Sequence, residues 1–132
     1  MSGEMVLIID DDETTRNTLS MLLEFDGYSV RACESGACAL ELINKKSFEV
    51  FLIDYRISPM SGDQVTRMLR YFCPDAYIIG FSVEPREKSF LKAGADAFLD
   101  KCDLAQNLMP LIKNRHNVGM RVRKSFPGVR DL

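Results

Sequence analysis

The stretch MVLIIDDDE at residues 5–13 decides the fold, because an apolar run passes directly into a group of acids. The arrangement returns at residues 50–54, where VFLID ends in Asp54, and at residues 97–101, where AFLDK ends in a lysine. Short apolar runs of this kind are typical of buried strands. Because the carboxyl ends of parallel strands meet at one edge of an open sheet, we predict a site there that contains these charged residues.

Helical patterns alternate with the strands along the whole chain. Ser35 is a predicted helix cap, and Gly27 and Gly94 are predicted helix ends. We predict strands over residues 5–9, 28–32, 48–53, 76–81 and 96–99, and helices over residues 13–24, 35–45, 62–72, 85–93 and 104–115. Five βα units with short connections indicate an α/β fold, a doubly wound five-stranded parallel sheet covered by helices on both faces.

Composition predicts one domain and an uneven distribution of charge. The chain has 132 residues and a net charge of −2, but five basic residues and one acid follow from Arg115 onward, which leaves −6 on the rest. We therefore expect one domain over residues 1–116 and a basic tail or linker over residues 117–132. Because residues 1–116 are acidic overall, we do not expect this domain to bind nucleic acid.

No apolar run approaches the ~20 residues that a membrane span needs, and no signal-peptide pattern opens the chain. We expect a cytoplasmic protein with no membrane partner. Cysteines are present at four positions without a C-x-x-C pair: Cys33, Cys38, Cys73 and Cys102. This spacing favours reduced thiols over disulfides or a zinc site.

The clustered acids point to metal and phosphoryl chemistry. Several carboxylates that converge on one spot cannot all stay ionised without a cation. A hard cation such as Mg²⁺ prefers oxygen ligands, and the positive charge of a nearby lysine would bind an anion. Together these groups suggest a site that handles a phosphoryl group.

Five motifs in this order resemble the receiver domains of two-component response regulators. They are IIDDDE at residues 8–13, LID at 52–54, PMSG at 59–62, IGFS at 79–82 and GADAFLDK at 94–101. Each motif alone is weakly specific, but each falls at a predicted strand end or in the loop that follows. The resemblance covers residues 5 to about 115 and implies a flavodoxin-like fold with strand order 2-1-3-4-5.

The resemblance also implies roles for individual residues. Asp54 would accept a phosphoryl group from the phosphohistidine of a sensor histidine kinase or a phosphotransfer protein. Mg²⁺ would be held by Asp10, Asp11, Asp54 and the backbone carbonyl of Arg56. The domain would catalyse its own phosphorylation and dephosphorylation on Asp54, without being a conventional enzyme.

Three further positions complete the implied site. Lys101 would pair with the phosphoryl oxygens, which fits the need to neutralise charge during phosphoryl transfer. Ser82 and Phe98 would act as switch residues. A downstream output domain or protein would respond to the switch, and a homodimer is possible.

The sequence departs from the family pattern around this site. Cys102 follows the lysine where the family usually has a proline on a cis peptide bond, so the Lys101–Cys102 bond is either cis or trans. Arg56 lies two residues past Asp54, and Glu84 lies two past Ser82. We predict that Arg56 and Glu84 pair across the mouth of the site and screen it from attacking water.

Three alternatives belong to other functional classes. A degenerate receiver would act only as a protein-binding module. A haloacid-dehalogenase-like phosphatase would use Asp10 as its nucleophile, in the motif Asp10-x-Asp12-x-Thr14, but after Lys101 the chain lacks the acidic pair on a strand that this class needs. A flavin-binding flavodoxin-like protein would need a phosphate loop after the first strand, and the acids there repel phosphate.

Overall fold

The structure is a computed structural model that describes residues 4–116. The strands are β1 (Met5–Ile9), β2 (Ser29–Cys33), β3 (Val50–Asp54), β4 (Tyr77–Ser82) and β5 (Ala97–Asp100). The helices are α1 (Glu13–Phe25), α2 (Gly36–Ile43), α3 (Gly62–Phe72), α4 (Glu87–Ala93) and α5 (Leu104–Lys113), with a 3₁₀ turn at Lys101–Asp103.

All strand pairs are parallel, and the sheet has the order β2-β1-β3-β4-β5. This confirms the predicted doubly wound α/β fold of flavodoxin-like topology. Strands β3 and β4 are buried along their whole length, which explains why they are apolar without alternation. Strand β2 lies at an edge and is mostly exposed, so its apolar pattern is weaker.

Two hydrophobic layers cover the sheet. Val6 and Ile8 of β1 face one layer, in which α1 and α5 contribute residues such as Leu23 and Leu108. Leu7 and Ile9 face the other layer, which α2, α3 and α4 complete. The alternation along β1 therefore divides its side chains between two apolar layers, and its carboxyl end stays at the sheet edge.

Several element bounds differ from prediction by one or two residues. Helix α4 begins at Glu87 and not at residue 85, because the chain first makes a turn in which the Arg86 N–H donates to the Glu84 carbonyl. Helix α5 ends at Lys113, since Asn114 caps it through the Pro110 carbonyl. The predicted basic tail over residues 117–132 lies outside the described residues, and the boundary at 116 stays a prediction.

Helices α1 and α4 are each followed by a glycine with positive φ, as their patterns predict. The φ angles are 95° at Gly27 and 113° at Gly94. All four cysteines are free thiols, in agreement with the expectation from spacing. Within residues 4–116, no helix combines the length and the apolar character that crossing a membrane requires.

Candidate functional site

Three carboxylates meet at the carboxyl ends of β1 and β3. These strands are neighbours, with Ile9 opposite Ile53, so Asp10 and Asp54 emerge side by side. One carboxylate oxygen from each of Asp10, Asp11 and Asp54 lies within 4.8 Å of the others. The sheet topology thus brings Asp54 to Asp10 and Asp11, from which it is separated by more than forty residues in the sequence.

Burial makes this cluster electrostatically costly without a cation. Asp10 is fully buried and Asp54 is 4% exposed, whereas Asp11 is exposed. Burial first, and the charge of Asp10 second, raise the pKa of Asp54 from its ordinary value of 3.8 to about 7, while Lys101 opposes the rise. Oxygen ligands from clustered carboxylates are those that Mg²⁺ prefers, so the residues fit this ion.

Lys101 supplies positive charge at the same cluster. Its Nζ lies 3.4 Å from Oδ2 of Asp10 and 3.7 Å from Oδ2 of Asp54. The turn after β5 presents this side chain, and the Asp100 carboxylate stabilises the turn by accepting the Cys102 N–H at 3.0 Å. Among the described residues the cis peptide bond is Ser58–Pro59, so the Lys101–Cys102 bond is trans.

A pocket of about 280 Å³ opens beside Asp54, and Ser82, Lys101, Arg56 and Glu84 line it. The Ser82 side chain is almost completely buried at the end of β4, and its hydroxyl oxygen accepts the Glu84 N–H at 3.0 Å. The hydroxyl proton of Ser82 is therefore free of this contact. Its position lets it donate to an anion in the pocket.

Phe98 belongs to the apolar layer that α2, α3 and α4 complete. It is 5% exposed, and its ring centroid lies 5.7 Å from that of Phe90 on α4. The aromatic side chain is therefore packed inward in this structure. The Tyr55 ring also approaches Phe90, with the two ring centroids 6.2 Å apart.

An ion pair joins Arg56 and Glu84, two of the residues that line the pocket. Two further groups, Arg86 and Tyr55, support it: Arg86 Nε lies 3.5 Å from Oε1 of Glu84, and its guanidinium lies 4.2 Å above the Tyr55 ring. Sequence reasoning missed both residues. No spacing signal points to this stacking, because it depends on how two loops meet.

Sequence reasoning also missed two hydrogen bonds that hold Asp10 in place. The Arg16 guanidinium donates to the Asp10 carbonyl at 2.9 Å, and the Asp12 N–H donates to Oδ1 of Asp10 at 2.9 Å. Asp12 itself caps α1 by accepting the Thr15 N–H at 3.0 Å. Asp10 and Asp12, which are two residues apart, therefore have different roles, one in the carboxylate cluster and one at the start of the helix.

Comparison with known proteins identifies the family. The profile of the response regulator receiver domain matches residues 6–113. The chain belongs to this family. A two-component signalling role follows, and receiver domains of this family generally bind Mg²⁺ at an acidic pocket.

Curated relatives agree with this assignment. Over 100 residues the chain is 35% identical to response regulator MprA of Mycobacterium sp. (strain KMS), covering 73% of this chain and 43% of the relative. It is 28% identical over 133 residues to response regulator protein TodT of Pseudomonas putida, covering 98% of this chain and 59% of the relative. The chain thus spans about half the length of the curated relatives it matches.

Solved structures show the same fold. A CheY-like receiver domain protein from Methanospirillum hungatei superposes with a TM-score of 0.82 at 26% identity, covering 89% of this chain and 96% of that one. Response regulator protein TrrA from Thermotoga maritima, in complex with Mg²⁺–BeF, gives a TM-score of 0.75 at 25% identity, covering 84% and 97%. These matches favour a receiver domain over the phosphatase and flavin-binding alternatives.

Proposed function

We propose that this receiver domain accepts a phosphoryl group on Asp54 from the phosphohistidine of a sensor histidine kinase or a phosphotransfer protein. The observation that carries the proposal is the buried Asp54 carboxylate, which meets Asp10 and Asp11 within 4.8 Å and has the Lys101 ammonium 3.7 Å away. A nucleophile, a set of metal ligands and a cation for the phosphoryl oxygens therefore lie together. A carboxylate cluster used only for stability would not need this combination.

The chemistry divides between the residues of the cluster. In the transfer, an Asp54 carboxylate oxygen attacks phosphorus while the bond from phosphorus to the donor histidine breaks. When bound by Asp10, Asp11, Asp54 and the carbonyl of Arg56, Mg²⁺ would neutralise charge on the phosphoryl oxygens. Lys101 pairs with one of these oxygens. Its ammonium group thereby exchanges the contact with the Asp54 carboxylate for a contact with the phosphoryl group.

Ser82 and Phe98 connect this event to the surface. In the proposal, the Ser82 hydroxyl donates to a phosphoryl oxygen and draws the loop after β4 inward, which changes the packing around Phe98. The changed surface is then read by an output domain or a separate protein, or by a second copy of the chain. We place these interactions in the cytoplasm, where ATP is available to charge a kinase.

The direct test is intact-mass measurement after incubation with acetyl phosphate and Mg²⁺. The wild-type chain should gain about 80 Da, the mass of one phosphoryl group. Asp54→Asn keeps the size of the side chain but removes the nucleophile, so the gain should disappear. A gain that persists in Asp54→Asn, or that maps to Asp10, would contradict the proposal and revive the phosphatase alternative.

Asp11→Asn should lower Mg²⁺ affinity by about tenfold or more, because it replaces a charged ligand by a neutral one. Asp11 is exposed, so the domain should stay folded. Calorimetric titration with MgCl₂ measures the affinity, and acetyl phosphate labelling should fail in parallel. Asp12→Asn is the matched control, since Asn also caps helices; an equal loss of affinity in both variants would argue against Asp11 as a ligand.

Arg56→Ala should shorten the lifetime of phospho-Asp54 by roughly threefold or more. The phosphoaspartate is an acyl phosphate that needs an in-line water to hydrolyse. Arg56 and Glu84 form an ion pair and both line the pocket beside Asp54, so in this proposal they hinder the approach of that water. Loss of the mass gain over time gives the rate, and Glu84→Ala should have a smaller effect. Arg67→Ala removes an exposed charge on α3 and serves as the control. An unchanged dephosphorylation rate in Arg56→Ala would show that the Arg56 side chain does not screen the site, and would leave Arg56 only its proposed role as a Mg²⁺ ligand through the backbone carbonyl.

A further inference from the structure

The ion pair of Arg56 and Glu84, here called the screening pair, is too exposed to hold its own position. The Arg56 side chain is 69% exposed and that of Glu84 is 35% exposed. Exposed ion pairs are weak, because water screens the charges and two long side chains lose rotamer freedom when they are fixed in one geometry. A pair that hinders the approach of water therefore needs a further contact that holds one of its members in place.

Arg86 supplies such a contact to the second carboxylate oxygen of Glu84. Oε2 of Glu84 pairs with Arg56, whereas Oε1 lies 3.5 Å from Nε of Arg86. Both Oε1 and Nε are buried, and neither forms a hydrogen bond to another group in residues 4–116. A buried polar atom without a partner is costly. Each of these two atoms therefore depends on the charge of the other, and removal of Arg86 would leave Oε1 of Glu84 without a cation.

The Tyr55 ring holds Arg86 itself. The central carbon of the Arg86 guanidinium lies 4.2 Å from the ring centroid, which is within the range of a cation–π contact. The ring is in turn packed edge-on against Phe90, with the two centroids 6.2 Å apart. Arg86 is also the N-cap residue of α4, but its side chain makes no capping hydrogen bond. The side chain thus contacts Glu84 and Tyr55 and does not stabilise the start of the helix.

We propose that Arg86 is a positioning residue that holds the screening pair in place and thereby lengthens the lifetime of phospho-Asp54. Tyr55 lies in the loop after β3 and Arg86 in the loop after β4, so their stack joins the two loops that contribute the screening pair to the pocket. Arg86 is not among the residues that line the pocket, so it acts through Glu84 and not by contact with the phosphoryl group. The effect on the lifetime rests on the proposed function, whereas the positioning of the screening pair does not.

The positioning is tested in the unphosphorylated chain by ¹H–¹⁵N spectra of the arginine side chains. The ring current of Tyr55 should shift the Arg86 Nε–H signal to lower frequency, and Tyr55→Leu should return it to the position of an unstacked arginine. In Arg86→Ala the Arg56 side-chain signals should move toward those of a free arginine, because Glu84 is no longer held. Arg56 signals that are identical in the wild type and in Arg86→Ala would overturn the proposal.

The lifetime is tested by following the loss of the added mass after acetyl phosphate is removed. In this hydrolysis a water oxygen bonds to phosphorus, the bond from phosphorus to the Asp54 oxygen breaks, and inorganic phosphate and the free carboxylate are released. Arg86→Ala should speed the loss by about twofold or more, but by no more than Glu84→Ala does. In a Glu84→Ala background, Arg86→Ala should cause no further change. An unchanged lifetime in Arg86→Ala, or additive effects of the two substitutions, would overturn the proposal.

Conservative variants separate the stacking and the hydrogen-bond geometry from net charge. Tyr55→Phe keeps the aromatic face and should keep the wild-type lifetime, whereas Tyr55→Leu should shorten it as Arg86→Ala does. Arg86→Lys keeps the charge but lacks the planar group that stacks and carries Nε–H, so it should restore little of the lifetime. Lys88→Ala removes an exposed charge from the first turn of α4 and is the matched control. Equal acceleration in Lys88→Ala and Arg86→Ala would assign the effect to net charge and contradict the positioning role.

Thermal unfolding of each variant distinguishes positioning from a general loss of stability. Arg86→Ala changes a partly exposed side chain, so its melting temperature should stay close to that of the wild type. Lifetimes that simply follow the melting temperatures across all variants would overturn the positioning role. If the wild-type chain takes up no phosphoryl group, the proposed function fails, and the arginine spectra still decide whether Arg86 holds the screening pair.

Discussion

The metal-free domain should lose stability as the pH rises from about 5 to about 8. The cause is Asp54, whose pKa is raised to about 7 in the folded state by burial first and by the charge of Asp10 second. A raised folded pKa means that the contribution is fully present below the unfolded value near 3.8 and is lost as the pH rises through 7. The expected fall in the free energy of unfolding over this window is roughly 2 kcal/mol.

Urea unfolding across this pH range, with a chelator present, measures the effect. Asp54→Asn cannot ionise, so its stability should change much less with pH. Adding MgCl₂ at about pH 8 should restore the stability of the wild-type domain, because the ion binds only the folded state. Asp75→Asn, at an exposed loop position, should keep the wild-type pH dependence; a wild-type curve that matches Asp54→Asn would show that Asp54 is not the group responsible.

Gly62→Ala should destabilise the domain by about 2–3 kcal/mol and slow phosphorylation of Asp54. A Cβ at Gly62 would lie 2.2 Å from the Asp54 carbonyl oxygen and 2.8 Å from the Tyr55 Cα. Both neighbours are backbone, and the Gly62 N–H is also bonded to the Tyr55 carbonyl at 2.8 Å, so the chain cannot move aside cheaply. Helix propensity alone predicts the opposite sign, since Ala is better than Gly by about 1 kcal/mol in a helix interior.

Thermal unfolding and acetyl phosphate labelling of Gly62→Ala test this prediction together. Gly36→Ala is the comparison, because Gly36 also begins a helix but faces the flexible end of Met60 and a methyl group of Val65. We expect a smaller loss of stability there. If Gly62→Ala is as stable as the wild type and labels at the same rate, the contact with Asp54 does not restrict this position.

Much of the fold was predictable because its central strands are buried on both sides. Residues 50–53 and the strand before Asp10 are continuous apolar runs, as expected for strands that are buried on both faces. Helix ends were less predictable where a short turn intervenes, as at Arg86 before α4. The strand order followed from the family resemblance, since periodicity specifies elements and not their neighbours.

By itself, the sequence determined the alternation of strands and helices, and it determined which charged residues follow the strands. Asp10, Asp54 and Lys101 were predictable as partners for this reason, because parallel strands bring their carboxyl ends to one edge. Only the tertiary structure decided the placement of Arg86 over Tyr55 and the approach of Gly62 to the Asp54 backbone. These contacts depend on loop paths and on distances of a few ångströms, which residue spacing along the chain does not specify.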